Sequence, residues 1–203
     1  MSNKIDVSCK DNKVYSPIGV QKLLRQAEKD NNGNLQAVLD NKHKYKELIE
    51  LYHGNFLALA LYKQYGEEFK FNMCPPETDP PDLFFIQENG KGAFPLEIME
   101  LYKYEGKFKN NLKLIEHIWN KKGLMNYDLC YLLLSSRLSI GNFNVTEFIK
   151  ELKNYNWKFQ RIYLSFYTAK IQQWTFFEVF PPALNSDKIF MDFNLNKDKK
   201  YLY

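Results

Sequence analysis

Two apolar runs, Leu83-Phe84-Phe85-Ile86-Gln87 and Ala93-Phe94-Pro95-Leu96-Glu97-Ile98-Met99, flank the dipeptide Asn89-Gly90. Asn-Gly between apolar runs is a strong short-range hairpin signal, because both central residues of a two-residue turn take left-handed backbone. A hairpin here fixes a register. With Asn89 and Gly90 at the tip, Glu88 faces Lys91 and, counting outward, Asp82 lies opposite Glu97. Two facing carboxylates repel. A divalent cation between them would offset the repulsion, since hard cations seek oxygen ligands. The register carries one conflict. It sets Pro95 opposite Phe84 at a hydrogen-bonded position, where proline has no donor. A bulge or a longer turn near Gly90-Lys91-Gly92 would relieve it, whereas a clean one-residue slip would send Asp82 and Glu97 to opposite faces.

Around the hairpin the pattern alternates between helix and strand. Residues 1–15 look irregular. Ser16-Pro17 opens a helix with an N-cap and proline at the first position, its stripe being Val20, Leu23, Leu24 and Ala27; Asn31-Asn32-Gly33-Asn34 ends it. A second helical region runs from about 35 to 65 with a break expected at His53-Gly54-Asn55. Its later part, Phe56 to Tyr62, is apolar nearly all round and therefore buried. Phe69, Phe71 and Met73 alternate with polar residues, as in a strand. Pro75 to Pro81 reads as a stiff loop. A helix is expected over 108–121, with Leu112, Leu114, Ile115, Ile118 and Trp119 inward, then a central strand over 127–134. A helix over 144–154 and strands over 157–167 and 173–180 follow. The tail beyond Pro181-Pro182 is expected to fray. The order predicts an α/β fold, one domain over 42–203 built on a mixed sheet flanked by helices, with a helical N-terminal extension over 1–41.

Composition narrows the chemistry. The 203 residues include three cysteines (Cys9, Cys74, Cys130) and three histidines (His43, His53, His117), none clustered. That argues against a zinc site and a disulfide framework, and fits a reducing cytoplasm. No apolar run reaches the roughly 20 residues that span a bilayer, and the N-terminal residues have no apolar signal core. The net charge of +4 is compatible with a polyanionic partner without requiring one. No glycine-rich phosphate loop or nucleophile triad is visible; Gly90-Lys91-Gly92 is too short, and Ser135-Ser136 lacks elbow glycines.

Pro81-Asp82, an apolar strand, and Glu97-Ile98-Met99 on the next strand after a helix together resemble the PD-(D/E)XK nuclease superfamily, in particular bacterial members, over about residues 42–135. The resemblance implies a restriction-endonuclease-like core and a magnesium- or manganese-dependent hydrolysis of phosphodiester bonds. It implies Asp82 and Glu97 as metal ligands, the Ile98 carbonyl as a further ligand, and an assisting glutamate from the first core helix, Glu50 ahead of Glu47. The implied partner is nucleic acid, DNA ahead of RNA, with a homodimer left open and no membrane. The alternative is a catalytically inactive α/β module that binds a protein or nucleic acid.

The chain departs from that pattern at Met99, where the family has a lysine that orients the attacking hydroxide. Methionine neither donates a hydrogen bond nor carries charge. Lys91 lies about 20 Å along an extended strand from Glu97, too far to substitute. Lys103 would serve if the chain folds back after Leu101, and Lys109 with Lys113 share a helix face that would meet phosphate. Each of these residues has an ordinary reading as well: Asp82 as turn chemistry, Glu97, Glu100 and the lysines as solvated faces, and Met99 as core.

Overall fold

The computed structural model describes residues 13–74, 81–88, 92–101, 110–124, 129–136, 143–168, 170, 172–181 and 190–202. The Asn89-Gly90 turn, Lys91, Lys103, Lys109, Cys9 and the proline-rich loop over 75–80 lie outside them. Among the described residues there are five α-helices and eight strands, the strands pairing both antiparallel and parallel. The α/β architecture read from the sequence is thus the one the chain adopts. It divides into two compact units. The first comprises Met1–Leu96 with Lys199–Tyr203, the second Glu97–Asp198. No described helix is long and apolar enough to cross a membrane.

In the first unit, β1 (Val14–Tyr15) pairs antiparallel with β2 (Phe69–Met73), and β2 with β3 (Leu83–Gln87). α1 (Pro17–Asp30) begins as expected, with the Ser16 side chain accepting from Gly19 N–H. Leu23, assigned to its buried stripe, is 43% exposed, and Val20, Leu24 and Ala27 alone are buried. The second helical region breaks at Asn41, not at His53-Gly54-Asn55. α2 (Leu35–Asp40) ends there and Asn41 caps α3 (Lys42–Tyr65), accepting from Lys44 N–H. A capping side chain at a helix start outweighs a mid-helix glycine that has a packing role. That role is close approach: a Cβ on Gly54 would sit 2.6 Å from Leu83 Cδ1 and 3.3 Å from Phe85 Cε1, so glycine lets β3 lie against α3.

β3 pairs antiparallel with the first half of β4 (Ala93–Glu100) in the expected count, from Ile86↔Ala93 through Phe84↔Pro95 to Leu83↔Leu96. The proline conflict resolves through parity. Gln87 N–H donates to Gly92 O at 2.9 Å, which makes that a hydrogen-bonded pair. Alternation then puts Phe84 and Pro95 at a non-hydrogen-bonded pair, where no donor is required of the proline.

In the second unit, β5 (Tyr131–Ser136) and β6 (Arg161–Thr168) run parallel, with α5 (Val145–Leu152) as their crossover. β6 pairs antiparallel with β7 (Gln173–Phe180). The core gathers Ile115 and Ile118 of α4 (Asn111–Ile118), Phe148 and Leu152 of α5, and Leu132, Leu134, Ile162, Leu164 and Phe166 of the strands. Leu112, expected inward, is 40% exposed. Trp157 and Phe159 are buried but precede β6 rather than open it. The described part of the tail, 190–202, does not fray. Phe190–Asn194 forms β8, antiparallel to β7, with Met191 and Phe193 buried, and Lys199–Leu202 closes a 3-10 turn.

Candidate functional site

Two carboxylates meet in the first unit. Glu50 stands on α3 one turn before Gly54, so both residues share a helix face. Gly54 lies against Leu83, the neighbour of Asp82, and the close approach that it permits carries Glu50 to Asp82. Asp82 is fixed through its backbone: its N–H donates to Leu96 O at 3.1 Å and its carbonyl accepts from Cys74 N–H at 3.1 Å. The bond to Leu96 falls one residue short of the partner that an unbroken count would give, so the strand entry bends locally at Asp82.

The two carboxyls are in hydrogen-bond contact, and the Glu50 carboxyl is pushed up to about 8. Burial is the largest cause, and the charge of Asp82 adds to it. Lys46, one turn earlier on α3, opposes the shift across a 3.5 Å ion pair but is itself 65% exposed. Glu47, the other candidate on this helix, is exposed and shows no such contact.

Glu97 belongs to the second unit. Its side chain is 1% exposed and its Oε1 takes the Nζ of Lys122 in an ion pair, Lys122 being 22% exposed. Lys122 lies in a π-helical turn, Trp119–Gly123, that continues α4. A π turn holds more residues than an α turn and so rotates the face that follows. Gly123 makes the turn possible: a Cβ there would sit 2.1 Å from Trp119 Cε3. The Trp119 ring packs against Tyr155 and Trp157 at 5.2 and 5.1 Å between centroids.

Ile98 is half-buried. Met99 packs in the core of the second unit, the ordinary reading of a methionine. Of the lysines that the sequence offers in its place, Lys113 is exposed on α4, while Lys91, Lys103 and Lys109 lie outside the described residues. Lys122 was not among them. The signal for it was the basic pair Lys121-Lys122 before Gly123 at a helix end.

Among the described residues, no group of three or more His, Cys, Asp or Glu side chains is placed to hold a metal ion. What the first unit offers is a two-carboxylate donor set of hard oxygens, which suits magnesium or manganese better than a soft metal. No protein-family model, no curated protein and no solved structure matches the chain.

Proposed function

We propose that the chain is a metal-dependent phosphodiesterase of the PD-(D/E)XK type, acting on nucleic acid, DNA ahead of RNA, in the cytoplasm. The observation that carries this reading is the contact of Glu50 with Asp82. Two carboxylates held together with one of them buried need a shared proton or a cation, and the resemblance expects a metal at these positions. Glu50 and Asp82 would hold the ion through their carboxylate oxygens. The resemblance also names Glu97 and the Ile98 carbonyl, which belong to the second unit. A bound magnesium ion would neutralise charge on the scissile phosphate and lower the pKa of the attacking water. Within the second unit, Lys122 pairs with Glu97, the residue whose motif carries Met99 in place of a lysine.

The test is cleavage of supercoiled plasmid and of single-stranded RNA in manganese or magnesium. Cleavage that disappears with chelator and in Asp82→Ala supports the reading. Absence of cleavage of both substrates, or cleavage unchanged in Asp82→Ala, overturns it.

One observation favours the non-catalytic alternative. Glu97 is already neutralised by Lys122 in a buried pair, a state that needs no metal. A binding module of this kind would retain nucleic acid or a protein with the same affinity in chelator and would cleave nothing.

A further inference from the structure

The first unit holds a second feature, a pocket of about 230 Å³ well away in sequence from Asp82. Its inner lining is buried and apolar: Ala58 and Leu59 from α3 and Phe69 from β2. Tyr62 and Tyr201 form an aromatic wall, their rings edge to face at 5.3 Å. Its outer lining is charged. Glu68 and Glu88 are both exposed and both line the pocket, and Lys70 pairs with Glu88 at 2.7 Å.

We propose that this pocket binds a small organic monocation, a primary amine carried on an apolar body. The apolar lining and its size select the body. At about 230 Å³ it is below the roughly 300–1,000 Å³ of drug-sized sites, so it suits a ligand of about ten heavy atoms. The charges select the head. Two carboxylates and one ammonium leave one net negative charge at the outer lining. The Glu88 N–H donates to the Glu68 carbonyl at 2.9 Å, which locks the two residues side by side. Their carboxyls are in contact, and Glu68 also meets the Tyr62 hydroxyl. An ammonium placed there would donate charge-assisted hydrogen bonds to these carboxyl groups and lie near two electron-rich rings. Tyr201 already attracts a cation: Lys200, which does not line the pocket, rests its Nζ 4.9 Å from the ring centroid. Lys200 would therefore compete with the ligand.

The experiment titrates the full chain, in phosphate buffer free of amines, with 2-phenylethylamine and with its neutral isostere 2-phenylethanol, followed by amide chemical shifts. The amine is expected to bind with a Kd of about 1 mM or below and the alcohol at least about tenfold more weakly. Glu68→Gln and Glu88→Gln, both at exposed positions that leave the fold intact, are each expected to weaken the amine about five- to tenfold and to leave the alcohol unchanged. Lys200→Ala is expected to tighten the amine about two- to threefold. No amine binding at 10 mM, equal binding of amine and alcohol, or a Glu68→Gln variant that binds as the parent does would each overturn the proposal. None of these outcomes bears on Asp82 or on cleavage.

Discussion

Glu50 holds a carboxyl that both its burial and its neighbour Asp82 keep from ionising. The folded chain therefore binds this proton more tightly than the unfolded one, whose glutamate titrates near the usual 4.5. The stabilisation is fully present below about pH 4.5 and is lost as the pH rises through about 8. In chelator, the isolated contribution of Glu50 should fall between pH 5 and pH 9 by an amount of order a few kcal/mol. Glu50→Gln keeps the shape and removes the charge, so urea midpoints of parent and variant should diverge as pH rises, with the variant the more stable at pH 9. Parallel pH profiles for the two would contradict the assignment. Lys122 poses the opposite problem, since its partner Glu97 is 1% exposed and sits in an ion pair with it. Lys122→Met removes one partner of this ion pair and should destabilise the chain by about 3–5 kcal/mol. Adding Glu97→Leu should recover most of the loss, and urea titration of the two single variants and the double variant measures the coupling.

At the scale of elements, the approach of α3 to β3 depends on Gly54. Alanine is the better helix former by about 1 kcal/mol, so a free site would gain from Gly54→Ala. Here the added methyl meets Leu83 and Phe85, both fully buried, and the net result should be a loss of roughly 1–3 kcal/mol. The same change should flatten the pH dependence of stability, because it pushes Asp82 away from Glu50; unchanged pH dependence in that variant would separate the carboxylate contact from the glycine. The elements that sequence reading recovers are those written locally. α1 has its Ser16-Pro17 start, β2 its alternation, and β3 with β4 their apolar runs. β8 was missed because Phe190–Asn194 sits between a double proline and a charged end, and its strand character comes from pairing with β7. The same distance limits the site. Lys122 reaches Glu97 across 25 residues through a π turn that no period announces. The contact of Glu50 with Asp82 was legible only because the resemblance asked for a helix glutamate.

For the molecule as a whole, the two units differ in a way that makes them separately observable. All three tryptophans, Trp119, Trp157 and Trp174, fall within Glu97–Asp198, so their emission reports the second unit alone. That unit is one continuous stretch of about a hundred residues, the common size of an independently folding domain. Its core draws helix and strand partners from within the same stretch: Ile115, Ile118, Phe148 and Leu152 meet Leu132, Leu134, Ile162 and Leu164. Trp157 and Trp174 are buried, and the Trp157 indole N–H donates to Leu152 O at 3.0 Å. A core closed in sequence has its apolar burial available without the first unit, whose own chain is interrupted. A fragment of residues 97–198 should therefore fold alone. It is expected to show near-ultraviolet circular dichroism from ordered indoles, an emission maximum matching the full chain, and a single cooperative urea transition with a slope of about 1–3 kcal/mol per molar. Red-shifted emission with a gradual, sloping transition would show instead that this core needs residues outside its own stretch.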